Sequence, residues 1–261
     1  MKFIILDKKI IFIICFLVIL ILSLFLYFYH PISLAVDLTT NTAFSDDLKE
    51  RFRNLTDNNE KIAYLTFDDG PTLKATGKIL DILKTSDVKA TFFVIGKHVK
   101  EHPELVKRAY DEGHYIANHG YNHNNSILFK NGKNFVDEIK KTDIEIGNAL
   151  GISNYCSHVF RFPNGYMSPI NRKEKKQALH LLSEINYTYI DWNCLNNDSI
   201  KKYTNYQLLN NLKKSSKNKG TLIILMHDTC DVNDTPAILT DSINYLKEQG
   251  YTFRNFYNLI N

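Results

Sequence analysis

Cysteine is scarce in this 261-residue chain, four in all, and its placement excludes the roles cysteine usually fills. Cys15 falls inside a long apolar run, leaving Cys156, Cys194 and Cys230 for the remainder. An odd number argues against a disulfide framework, and no pair has the Cys-x-x-Cys spacing of a thiolate zinc site. Net charge is small as well: +4, with the N-terminal lysines included, gives no basic field of the kind nucleic acid requires. Internal repeats and low-complexity blocks are missing too, which excludes solenoids and disordered arrays.

What is present is an ordinary globular composition, 44% hydrophobic and 23% charged, with one departure at the front. Ile10 to Tyr29 carries no charge and follows Lys2, Asp7, Lys8 and Lys9. At about 1.5 Å per residue such a run spans a bilayer core. The lysines before it predict residues 1–9 inside the cell, a transmembrane anchor over 10–29 and the rest outside. Ser33-Leu34-Ala35 resembles a cleavage site, so secretion after cleavage near Ala35 is the alternative, but a signal's apolar core is usually shorter, about 7 to 15 residues. Tyr29-His30-Pro31 stops the helix, and residues 30–60 read as linker and juxtamembrane segment, with a short polar helix capped by Ser45. The remaining 61–261 suffice for one core.

From Lys61 onward short apolar runs alternate with helical patterns. Strands are predicted at Ile62–Phe67, Thr91–Ile95, Tyr115–Asn118, His158–Phe162, Tyr187–Trp192, Thr221–Met226 and Tyr251–Arg254. Helices are predicted between them, at Leu73–Thr85, Pro103–Glu112, Asn134–Leu150, Arg172–Glu184, Thr204–Lys217 and Thr235–Gln249. That order calls for an α/β fold with a parallel sheet, as a barrel or as an open doubly wound sheet, and in either ligands gather at the carboxyl ends of the strands.

Residues with chemistry stand at those ends. Thr66-Phe67-Asp68-Asp69-Gly70-Pro71 closes the first strand. In isolation it reads as a solvated turn, but paired carboxylates can also divide metal binding from proton transfer. After the third strand, Asn118-His119-Gly120-Tyr121-Asn122-His123 sets two imidazoles close enough for one cation. Two histidines and a carboxylate leave positions open for water and substrate. Arg161-Phe162-Pro163-Asn164-Gly165-Tyr166 offers a cation for a carboxylate and a turn able to aim an N–H at an oxyanion. Asp191-Trp192 follows, with the only tryptophan, by default a core residue although indoles also stack on sugars. Leu225-Met226-His227-Asp228 ends the series: Leu225 is core or the border of a small acyl pocket, and His227 is placed to protonate a leaving group.

Taken together these segments resemble the polysaccharide deacetylases of carbohydrate esterase family 4, which share a domain with the nodulation-factor deacetylases. The resemblance spans roughly Ile62 to Phe256, and implies a distorted, incomplete TIM-like (β/α) barrel. It further implies that Asp69, His119 and His123 hold a divalent metal, zinc first and cobalt or nickel otherwise, with Asp68 as general base and His227 as general acid. Asn164 takes the position of the oxyanion N–H, supported by Arg161 and Pro163. The implied activity is removal of N-acetyl groups from N-acetylglucosamine in peptidoglycan or a related extracellular polysaccharide, with the membrane and the glycan as partners and no nucleic acid. Alternatives are deacetylases of chitin, poly-N-acetylglucosamine, muramic acid or acetylated xylan, and a non-catalytic wall-binding protein on the same fold. A phosphoester hydrolase would call for glycine-rich phosphate loops that do not accompany Asp69. The fourth motif departs from the family's Asp-x-x-Asp-Trp, leaving the partner of Arg161 open between Asp191, Asp198 and none.

Overall fold

The computed structural model describes Lys9 and residues 44–260. The apolar run expected to span a membrane lies outside the described residues, and among those described no helix is long and apolar enough to cross one.

Strands β1 (Ile62–Asp68), β2 (Thr91–Val94), β3 (Tyr115–Asn118), β4 (Val159–Phe160), β5 (Thr188–Tyr189), β6 (Cys194–Leu195), β7 (Leu222–His227) and β8 (Thr252–Phe253) form one 8-stranded sheet. Every pairing is parallel. The helices are α1 (Asp46–Arg53), α2 (Thr76–Thr85), α3 (Gly96–Glu101), α4 (Pro103–Asp111), α5 (Asn125–Leu128), α6 (Gly132–Leu150), α7 (Arg172–Glu184), α8 (Asn205–Ser216), α9 (Pro236–Glu248) and α10 (Tyr257–Ile260).

The strand order is β5-β4-β3-β2-β1-β7-β6. β5 and β6 stand at opposite ends of that order, yet only residues 190–193 join them. The sheet therefore curls until its two ends face each other unpaired, a barrel left open on one side. β8 adds a second distortion. Ala63 pairs with Leu222 of β7 and with Phe253 of β8, so β8 lies along the edge that β2 occupies higher up, from Thr66 to Asp68. Sequence pattern alone leaves barrel and open sheet equal, and this closure decides for the distorted barrel.

Four short runs, β6, α3, α5 and α10, escape sequence pattern, and for β6 and α3 the physical reason is plain. β6 has two residues, too few for an alternation to register, and its Cys194 and Leu195 pair with Ile224 and Leu225 across the sheet. α3 begins at Gly96 directly beyond β2, without a capping side chain to announce it.

β1 runs through the centre and is buried along its whole length, as a parallel strand covered on both faces must be. The barrel interior holds Tyr64, Phe93, Tyr115, Ala117, Val159, Ile190 and Ile223. Residues 44–55, within the segment predicted as linker, complete that cluster: Phe44, Phe52 and Leu55 pack into it beside Phe256 and Leu259. Ser45 caps α1 by accepting from Leu48 N at 3.1 Å, and the Phe52 ring meets Phe256 edge-on at 5.2 Å. A second cluster, around Phe135, Ile139, Phe160, Phe162 and Leu182, seats α6 and α7 against the sheet. With the interior filled, only the loops beyond the strands' carboxyl ends are left to build a site.

Candidate active site

Asp68 is the last residue of β1, and strand alternation alone would send Asp69 to the opposite face. The backbone prevents this by turning left-handed at Asp69, φ 77°. Both carboxylates consequently approach one imidazole: His119 Nε2 lies 3.3 Å from Asp69 Oδ1 and 3.9 Å from Asp68 Oδ2. His98 of α3 fixes the turn through Nδ1, 2.8 Å from the Asp69 carbonyl oxygen. Gly70 is obligatory here, because a Cβ on it would fall 2.0 Å from Asp228 Oδ2.

The two histidines come from the turn after β3. His119 Nδ1 lies 2.8 Å from the Arg161 carbonyl oxygen, which selects the tautomer that presents Nε2 to Asp69. His123, also left-handed at φ 50°, places its Nε2 3.3 Å from the same Asp69 Oδ1. Between them Tyr121 N and Asn122 N both donate to Glu138 of α6, so the helix holds the turn that spaces the two rings. Asp69, His119 and His123 each offer a donor atom, and these atoms all lie within 4.8 Å of one another.

Whether that cluster suits a cation can be judged from its own atoms. Asp69 Oδ1 is buried and has no hydrogen-bond partner, although two imidazoles face it. Burial by itself would raise the Asp69 pKa, but the close approach of His119 and the charges of His119, His123 and His227 hold the carboxyl well below the usual range. An ionised carboxylate with two imidazole nitrogens is a donor set for a borderline metal such as zinc. These residues fit the ion that the family resemblance implies.

Asp68 is held differently. The fully buried Arg161 donates from Nη1 to Asp68 Oδ1 at 2.8 Å and to Thr66 Oγ1 at 2.7 Å. Its remaining donors reach the carbonyls of Ile190 at 3.1 Å and Asp191 at 3.3 Å, while its plane covers the Phe93 ring at 3.9 Å. Arg161 thus orients the Asp68 carboxylate and leaves Oδ2 toward His119.

His227 faces the cluster from β7, its Nε2 3.9 Å from Asp69 Oδ2. Behind it, Asp198 accepts from the ring Nδ1–H at 2.7 Å and from the His227 backbone N–H at 2.8 Å. Thr235 Oγ1 donates to the same carboxylate at 2.6 Å, and Asn233 Nδ2 holds the Asp198 carbonyl. Burial would lower the pKa of His227, but the Asp198 hydrogen bond and charge, with Asp68 and Asp69 beyond, lift it to about 9. A cavity of about 190 Å³ opens onto Asp69 and His227, walled by Ser199, Thr229 and Cys230 among others.

The structure therefore gathers Asp68, Asp69, His119, His123 and His227 around one point, with Arg161 behind. The partner that the sequence leaves open for Arg161 is Asp68, together with two main-chain carbonyls. Asp198 serves His227 instead, and the Asp191 side chain accepts from Tyr166 N and Met167 N. Pro163 is buried and Asn164 exposed in the turn after β4, and the Asn164 N–H takes no partner among the described residues. Trp192 is half-buried against the barrel core and the Gly165 turn, away from the cavity beside Asp69. Leu225 is buried in β7 and does not line that cavity. His98, Glu138, Thr235 and Asn233 escape notice in the sequence, since a polar residue on a helix or loop carries no local signal of what it will bond.

The family model for polysaccharide deacetylase matches residues 56–189. A peptidoglycan-N-acetylglucosamine deacetylase of Bacillus cereus is 38% identical over 204 residues, covering 76% of this chain and 70% of that protein. The peptidoglycan-N-acetylmuramic acid deacetylase PdaA of Bacillus subtilis is 34% identical over 201 residues, covering 77% and 72%. Among solved structures, a polysaccharide deacetylase of Bacillus cereus superposes with TM-score 0.65 at 36% identity, covering 75% of this chain and 92% of that one.

Proposed function

The chain belongs to the polysaccharide deacetylases of carbohydrate esterase family 4, and from that membership we propose that it hydrolyses the N-acetyl groups of N-acetylglucosamine residues in peptidoglycan, with a divalent cation in its site. The observation that carries this reading is the approach of three metal-type donors to within 4.8 Å of one another, between a carboxylate paired to arginine and an imidazole paired to aspartate. A proton acceptor, a Lewis-acid site and a proton donor then surround one reacting carbonyl.

Asp69, His119 and His123 would hold the ion, zinc before cobalt or nickel. When bound it polarises the acetamide carbonyl and acidifies a ligated water, toward a pKa of about 7 in favourable sites. Asp68, kept in orientation by Arg161, removes a proton from the attacking water. The Asn164 N–H offers a hydrogen bond to the charge that develops on the carbonyl oxygen. His227 gives its proton to the departing nitrogen, so that acetate and a free amine leave. Asp198 keeps that ring protonated on the site-facing Nε2.

Ile10–Tyr29 is read as an uncleaved anchor that holds the domain on the outer face of the cell membrane, where it meets the wall. Membrane fractionation with N-terminal sequencing tests this, and a mature chain beginning near Ala35 would favour secretion. The activity itself is tested by incubating the full chain with zinc and N-acetylated muropeptides and measuring acetate. Release from N-acetylglucosamine supports the proposal. Release only from muramic acid, chitooligosaccharide or acetylated xylan would redirect the substrate, and no release from any of them would reject it.

A further inference from the structure

Lys175 is fully buried, the only lysine so placed among the described residues. Lysine pays heavily for burial unless its ammonium is matched, so its partners locate its purpose. Nζ donates to the Gly165 carbonyl at 2.5 Å and lies 3.5 Å from the Ser168 carbonyl. Both belong to the turn that follows Asn164. From the opposite side Asp191 accepts from Tyr166 N at 2.8 Å and from Met167 N at 3.0 Å. Consecutive backbone groups from 165 to 168 are thus gripped by a cation at the ends and an anion between. Burial lowers the Lys175 pKa and the Asp191 charge opposes that fall.

The gripped turn has an uncommon backbone. Asn164 and Gly165 are both left-handed, φ 64° and 77°, the region that glycine enters freely and asparagine more readily than other side chains. A Cβ on Gly165 would meet the Trp192 ring at 2.8 Å, so the indole closes the third side. The Asn164 N–H, immediately before the gripped segment, is left without a partner among the described residues.

We propose that Lys175 and Asp191 are positioning residues, a buried opposite-charge brace that sets the Asn164 turn so its N–H meets the charge developing on the substrate carbonyl. The proposal rests on the role given to Asn164 above. Neither residue touches substrate: both act through the turn's backbone. A donor misplaced by about 1 Å forfeits much of its contribution, and loss of a whole oxyanion donor costs roughly 100- to 1000-fold in kcat.

The test compares the full chain with Lys175→Met, Lys175→Arg and Asp191→Asn, measuring kcat, KM, zinc affinity and the ¹H–¹⁵N resonance of the Asn164 amide. Lys175→Met and Asp191→Asn are each expected to lower kcat about 10- to 100-fold, with KM and zinc affinity within about twofold of the parent. Both should shift or broaden the Asn164 resonance, and Lys175→Arg should recover part of kcat. The double variant should be no worse than the poorer single one, since both act on one turn. Unchanged kcat in folded variants, or a loss matched by lost zinc, would overturn the brace. If Lys175→Met does not fold, Asp191→Asn carries the test. If the parent deacetylates nothing, the functional reading falls, while the amide resonance still decides whether the brace orders the turn.

Discussion

Replacing Asp198 by Asn changes one charge and almost no volume, and its effect can be worked out from the His227 contacts. Asp198 receives the ring Nδ1–H at 2.7 Å, and with its help the His227 pKa rises from 6.5 to about 9. That rise corresponds to about 3 kcal/mol of preference for the protonated ring. A general acid must hold its proton, so activity should persist below the folded pKa and fade as pH climbs through it. A ring restored to 6.5 would be only about 3% protonated at pH 8, against about 90% for the parent. The variant should therefore be about 30-fold slower at pH 8 and within about 1.5-fold at pH 6. A bound cation offsets what Asp68 and Asp69 add to the His227 pKa, while the Asp198 contribution, on the far ring nitrogen, persists. The stability linkage has the same sign: a raised histidine pKa stabilises the fold fully below 6.5, and the benefit is lost as pH rises through about 9. The melting temperatures of parent and variant should therefore converge above that pH. The assay is acetate release from an acetylated muropeptide between pH 5.5 and 9.5, with zinc held saturating. An equal loss at pH 6 and pH 8 would refute the argument, because it would make Asp198 a packing residue without influence on the proton.

Asp68→Asn should reduce turnover about 100- to 10,000-fold while zinc stays bound, measured by single-turnover kinetics with metal analysis; loss of the metal would exchange the roles of the two aspartates. Phe52, only 1% exposed against Phe256, should cost about 3–5 kcal/mol on conversion to Ala in denaturant unfolding, although it lies before the segment predicted as the catalytic domain. Gly70→Ala drives a methyl into the Asp228 carboxyl, 2.0 Å away, and should abolish activity. The double variant Gly70→Ala, Asp228→Ala should recover part of the lost stability in thermal unfolding, and no recovery would mean that the clash lies elsewhere.

The strand ends are legible in the sequence because each joins an apolar run to a turn rich in Asp, His, Asn, Gly or Pro, and parallel topology must place such ends on one face. The alternation of runs such as Ile62–Phe67 with helical stretches points to the α/β class for the same reason. What sequence does not carry is which charged side chain meets which. Asp191 and Asp198 both follow short strands, and their partners are settled by the curl of the sheet: Asp198 arrives beside β7 and His227, whereas Asp191 turns to the loop after β4. Lys175 is hidden among Arg172, Lys173, Glu174 and Lys176, a charged run that reads as a solvated helix face until the 165–168 turn folds over one member. α1 is visible as a helix, but its seat under the barrel depends on Phe256, at the far end of the chain.

The most direct measurement is anomalous scattering at the zinc edge from crystals of the full chain grown with zinc. One site is expected, about 2.0–2.2 Å from a carboxylate oxygen of Asp69 and from Nε2 of His119 and His123, with Asp68 and His227 on either side but outside the coordination sphere. Zinc bound elsewhere, or no zinc in a chain that still releases acetate, would contradict the account.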